Sequence, residues 1–324
     1  MYQIKKASER QRLDNILKEQ EIKIGSAFLK FVDKIKSEKV LKELNDAIEN
    51  NDFTRVNQII DGFIITFANT IPTVFATVAA AEADHLIEQL STTAIAIGFD
   101  PTYPRAAELV RQSRFEILRG LTLQQRQATQ QAIAAAFESG YSPREVARSV
   151  VNSIGLTAQQ EQAVRNYRSL LEKQSSQALD RKLRDRRFDR TVETSIKDGT
   201  PLTAAQIDKM TDAYRKKAIN LRALTIARTQ GIRAMNEARI EVLSQIMEPL
   251  AATHVAFKTW FPTLDSRTRD HHASMADQVV EFDKPFIDGK GNVIRFPGDP
   301  LAPADTIINC RCGFTVNIEL RDAA

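Results

Sequence analysis

The sequence predicts a mainly α-helical protein, with long helices and helical hairpins followed by a small mixed β-sheet module, an α+β domain at the C-terminal end. Three observations carry that expectation. From the start to about Leu250 the chain is rich in Ala, Gln, Glu, Lys, Arg and Leu, poor in glycine, and apolar at helical spacing. After Leu250 the texture alternates, as in "THVAFKTWFP" and "GFTVNIEL". Prolines and glycines crowd into this last part, above all in "FPGDPLAPAD" from Phe296 to Asp305, which reads as a long ordered loop. The 324 residues suffice for a sizeable core. They divide by texture into a helical region over 1–130, a second helical region over 131–250 and an α+β domain over 251–324.

Within the first region, Gly62 to Ala81 contains no charged residue. It approaches the roughly 20 residues that span a bilayer. Its threonines, Asn69 and Pro72 interrupt the apolar stretches, so the reading is one apolar helix near 62–81, covered by its own fold or by other chains, with no stable membrane span. Further on, the helix starts are written locally. "GYSPRE" places Ser142 as an N-cap with Pro143 next and Glu145 reaching back, and Gly155 closes that helix. The same box recurs at Thr157 with Gln160 and at Thr203 with Gln206, which reads as short helical hairpins. Near the end, "DGKGN" from Asp288 to Asn292 is a hairpin turn between two short strands.

The net charge of +4 and the pI near 9.0 are compatible with acidic partners but demand none at this length. The densest basic stretch holds Arg181, Lys182, Arg184, Arg186, Arg187 and Arg190, interleaved with Asp180, Asp185 and Asp189. Two readings stand there: contact with DNA phosphates, or a solvated mixed-charge helix.

The two cysteines of the chain, Cys310 and Cys312, lie one residue apart. That spacing disfavours an unstrained disulfide between them, which argues against a disulfide scaffold. The polar opening "MYQIKKASERQRLDNILKEQ" carries no secretory pattern, so the expected site of synthesis is a reducing cytoplasm. The thiols could serve as zinc ligands together with His271 or His272, with His254 or Asp265 as a fourth. Alternatively, the cysteine strand packs beside a helix through "RTRDHH", with Asp265 as the helix cap and Arg311 paired with an acid. Adjacent histidines on a helix point about 100° apart, so only one of them faces a given site.

In order, the C-terminal part gives Trp260, "DSRTRDHH" with Asp265, Arg267, Arg269 and His272, then "PGDP", then "INCRC" with Asn309, Cys310, Arg311 and Cys312. Upstream lies "LRALTIARTQGIRAMNEAR". Together these resemble the phage Mu protein F-like family, the minor head or head morphogenesis proteins of tailed bacteriophages, over roughly Ala132 to Leu320. Gln230 stands where the family usually has glutamate. The resemblance implies a virion protein rather than an enzyme. It would be made in the host cytoplasm, sit inside the head near the portal in several copies, and act in head morphogenesis, DNA packaging or DNA delivery. The implied partners are portal and capsid proteins and packaged double-stranded DNA. A DNA-binding internal protein that leaves with the genome is the alternative, and a metal-dependent enzyme a more distant one, since no G-x-S-x-G, phosphate loop or H-E-x-x-H is present.

Overall fold

Helix ends fall where local chemistry sets them. Gln160 and Thr157 close the expected reciprocal box, Glu145 accepts the Ser142 amide at 2.8 Å, and Gln206 accepts that of Thr203 at 2.9 Å. The computed structural model describes residues 6–90, 100 and 102–321. In chain order these form α1 (Lys6–Ile35), α2 (Glu38–Glu49), α3 (Phe53–Ala68), α4 (Thr70–Leu90), α5 (Pro104–Glu138), α6 (Pro143–Ser153), α7 (Ala158–Glu172), α8 (Asp189–Asp198) and α9 (Ala204–Leu250). There follow β1 (His254–Phe261), α10 (Asp270–Ala273), β2 (Val279–Glu281), β3 (Phe286–Ile287), β4 (Val293–Ile294), α11 (Ala304–Ile307) and β5 (Gly313–Leu320). The fold is mainly α with a C-terminal α+β part, as the sequence predicts.

Three local expectations are corrected. The apolar run is two helices that meet at Asn69. Pro72 explains the break: in a continuous helix its ring would strike the carbonyl of Ala68, whereas in the first turn of α4 its missing N–H costs nothing. The basic stretch is no helix either. Between α7 and α8 it folds as turns with two short 3₁₀ segments, Ser176–Ala178 and Arg186–Phe188. Finally, the chain from Ala204 to Leu250 is a single 47-residue helix rather than short hairpins. Gly231 lies inside it because Leu17 of α1 approaches so closely that a Cβ would sit 3.2 Å away.

Contacts gather the chain into two units, each built from separated segments. One comprises Ser26–Ala68 and Ile117–Leu224. Its core includes Phe28, Leu44, Ile60, Val146, Val150, Ile154 and Tyr167, with Tyr167 stacked on Tyr214 at 4.5 Å. α3 contributes Val56, Ile59, Ile60, Ile64 and Phe67 to it.

The other comprises Met1–Gly25, Asn69–Glu116 and Thr225–Ala324. In it α4 buries Ile71, Val74, Phe75, Val78, Ala79, Glu82, Ala83 and Leu86, a helical stripe, while Thr73, Ala76, Thr77, Ala80 and Ala81 face outward. By length and composition Phe53–Leu86 would pass for a membrane span. The one-sided burial of α4 is the pattern of a helix lying against a core.

The three-stranded sheet of this unit has the order β2-β1-β5, all antiparallel, with His254 opposite Leu320 and Phe261 opposite Gly313. β3 and β4 pair as the expected hairpin across Asp288–Asn292. Trp260, Phe286, Phe314, Met275 and Ile294 pack with Met235, Val242 and Leu243 of α9 in one core. The proline-rich loop is fastened to the same helix: Asn236 Nδ2 donates to the Pro297 carbonyl at 2.8 Å. Gly298 has φ of 83°, and a Cβ there would lie 3.2 Å from the backbone nitrogen of Arg233. Gly298→Ala should therefore cost about 1–3 kcal/mol, from left-handed strain plus overpacking, read as a lower urea midpoint at unchanged m-value.

Candidate functional site

The "NCRC" segment sits where three elements converge. Asn309 adopts φ of 57°, a conformation asparagine tolerates, and its N–H donates to Thr229 Oγ1 of α9 at 3.1 Å. The chain then runs extended into β5, so residues 310 and 312 turn to one side and 311 to the other. Arg311 makes a two-pronged pair with Asp265 at 2.6 Å and 2.6 Å, and its carbonyl accepts from Thr263 Oγ1. Both sulfurs face inward and are buried, Cys310 at 1% and Cys312 at 4% exposure.

His272, 2% exposed on α10, meets them through Nδ1, 3.4 Å from Cys312 Sγ and 3.8 Å from Cys310 Sγ. The candidate ligand atoms of these three residues lie within 4.8 Å of one another. The Trp260 indole stands edge-on to the imidazole at 5.7 Å. Cys310 is the more acidic thiol, because Cys312 hydrogen-bonds to it and His272 lies beside it; Cys312 is pushed up by the same contact and by burial.

The other sequence candidates are placed apart from this cluster. His271 turns away, its Nε2 3.9 Å from Asp288 Oδ2, and burial holds its pKa below the usual histidine range. His254 lies at the opposite end of β1 and bonds Thr253 Oγ1 at 2.8 Å. Asp265 caps no helix: α10 begins at Asp270, and Asp265 Oδ1 instead accepts the Arg267 amide in a turn. Its service to Arg311, with Arg267 alongside, pulls its pKa well down. Arg267 is largely exposed, and Arg269 donates to the Ile308 carbonyl, bracing the turn ahead of the cysteines. In the basic stretch Arg184 pairs with Asp189 and Arg187 with Asp185, while Lys182, Arg186 and Arg190 are exposed and Arg181 is half-buried. Gln230 is half-buried with its side-chain oxygen lacking a hydrogen-bond partner.

Sequence reasoning missed the ionic centre of this unit. Arg239 of α9 is 2% exposed, donating to Glu82 at 2.8 Å, to Glu9 at 3.2 Å and to the Phe314 carbonyl at 2.8 Å. Arg12 joins it, bonding Glu9 at 2.8 Å and Glu82 at 2.5 Å. His85 approaches Glu9 at 3.1 Å. A signal was present: Arg239 falls on the apolar stripe of Ile232, Met235, Ala238, Val242 and Leu243, and Glu82 on that of Val78, Ala79, Ala83 and Leu86. A charge on an apolar stripe demands a buried partner.

This is a mainly helical protein whose C-terminal α+β part, seated on one long helix, presents a buried His-Cys-Cys cluster. Residues 186–315 match the family model of the phage Mu protein F like proteins, a likeness that suggests a bacteriophage head-related protein. The match is narrower than the Ala132–Leu320 span of the motif resemblance, and Glu9, Arg12 and Glu82 fall outside it. No curated protein and no solved structure matches the chain.

Burial alone would raise the carboxyls of Glu9 and Glu82, but Arg12, Arg239 and, for Glu9, His85 outweigh it and hold both below the ordinary range. A carboxyl with a depressed folded pKa stabilises fully above its unfolded value, near 4.3, and loses that contribution as pH falls below it. Arg239→Met leaves two buried carboxylates to share the single guanidinium of Arg12 and should cost about 3–5 kcal/mol at pH 7. In urea denaturation, the gap between variant and parent should narrow between pH 5 and pH 3.

Proposed function

We propose that this protein is a minor structural component of a tailed-phage head, present in several copies near the portal, where it acts in head morphogenesis, DNA packaging or DNA delivery. The observation that carries the reading is the family match over residues 186–315. What supports a binding role is the build of the C-terminal module: its loops are clamped to α9 by Thr229, Asn236 and Arg239. Such a unit presents a fixed surface to portal and capsid proteins without needing a reaction. The chain acts as a binding protein with no catalytic step, made in the host cytoplasm and incorporated into the virion. The one-sided burial of α4 supports a protein that does not span a membrane.

The test is co-purification. Tagged protein expressed with the portal should hold it through nuclease digestion and 0.5 M salt; loss of the portal on nuclease treatment would overturn portal docking.

A second reading, DNA contact inside the head, rests on the exposed Lys182, Arg186 and Arg190 in the turn-rich segment. Because Arg184 and Arg187 are already paired, few phosphates can be neutralised there. Three free cations predict a slope of log K against log salt of about −3 on duplex DNA. Filter binding checks it, and Lys182→Ala, Arg186→Ala and Arg190→Ala together should flatten the slope. An unchanged slope would move any DNA contact elsewhere.

A further inference from the structure

We propose that Cys310, Cys312 and His272 bind one zinc ion, the cysteines as thiolates and the imidazole through Nδ1. The two thiols converge on a single nitrogen. Neutral imidazole offers one lone pair there, so it can accept from one S–H, and the second thiol is left with only the other sulfur, a weak acceptor. A cation between the three atoms satisfies all of them together.

The spacing fits such an ion. Zinc bonds of about 2.3 Å to sulfur and about 2.0 Å to nitrogen, at tetrahedral angles, set the sulfur-to-nitrogen edge at about 3.5 Å. The observed separations of 3.4 Å and 3.8 Å bracket that edge. The donor set also selects the metal, since two thiolates and an imidazole favour zinc over magnesium or calcium, which take oxygen.

The frame around the cluster is held without help from the thiols. Asn309 is tied to Thr229, Arg311 to Asp265, Arg269 to the Ile308 carbonyl, and the His272 amide to the Arg269 carbonyl. The three ligand atoms are thus brought together by bonds they do not make. That is pre-organisation of a binding site. The other candidate donors are committed elsewhere: His271 toward Asp288, His254 at the far end of β1, Asp265 to Arg311. The described residues therefore give three ligands, and the fourth position goes to water. With both nearby carboxylates engaged, the ion fastens α10 to the entry of β5, and the chemistry is structural.

The inference goes beyond the head-protein reading and is independent of it, since metal content is read on the purified chain whatever the portal experiment gives. The full chain, purified without chelator or metal-affinity resin, should contain one zinc per molecule by elemental analysis. Cys310→Ser, Cys312→Ser and His272→Ala should each lose it, while His271→Ala keeps it. Because a variant can lose metal by failing to fold, the parent protein is also produced with cobalt. Its visible spectrum should show thiolate charge transfer and the intense ligand-field bands of four-coordination. Zinc below a tenth of an equivalent, together with a cobalt protein lacking thiolate charge transfer, overturns the proposal. Loss in His271→Ala with retention in His272→Ala overturns the ligand assignment.

Discussion

The guanidinium of Arg239 is the group around which the C-terminal unit is organised. Taking an arginine out of water costs several kcal/mol, and the cost is offset only where each donor finds an acceptor in good geometry. Arg239 finds them on three elements far apart in sequence: Glu9 on α1, Glu82 on α4 and the Phe314 carbonyl on β5. Its guanidinium also lies 4.3 Å over the Phe314 ring. Arg12 supplies a second positive charge, so two cations face two carboxylates. A slip of any of these elements by one residue would leave a buried charge unpaired. We therefore take the cluster as the device that fixes register, more than as a source of net stability.

The same helix orders the rest of the module. Thr229, Asn236 and Arg239 lie on one side of α9, and each binds a backbone group of the C-terminal part: the Asn309 amide, the Pro297 carbonyl and the Phe314 carbonyl. Irregular loops rich in proline and glycine cannot satisfy their own polar groups through a ladder, so side chains from a rigid neighbour do it for them. Thus the "IARTQGIRAMNEAR" stretch and the loops "PGDP" and "NCRC", separated by tens of residues, form one piece of structure. The family motif reads as the two halves of that contact.

What was legible in the sequence was local. The boxes at Ser142, Thr157 and Thr203 and the turn at Asp288–Asn292 rest on residues within four positions of each other, and they appear where expected. The convergence of His272 with Cys310 and Cys312 was legible through the motif order. What escaped depended on distant partners. Asp265 looks like a helix cap until Arg311, 46 residues on, claims its carboxylate. The basic stretch has helical composition, yet Arg184 and Arg187 are drawn into ion pairs within tight turns. α9 runs on through Gly231, where a side chain would crowd Leu17, a neighbour that composition could not bring near. Pro72 is the exception, a local signal of the break between α3 and α4.

The interleaving of the two units has a consequence in time. A ribosome delivers the chain from the N-terminal end, and domains fold as their parts become available. The unit of Ser26–Ala68 and Ile117–Leu224 is complete once Leu224 has emerged, with Thr225–Ala324 still to come. Glu9, Arg12 and Glu82 have been made by then, but their partner Arg239 has not. The segment that carries Glu9 and Arg12 is thus without its Arg239 partner, and its apolar stripe without the second half of α9, until that part of the helix has been made. A nascent chain of this kind depends on what shelters its first helix during that interval.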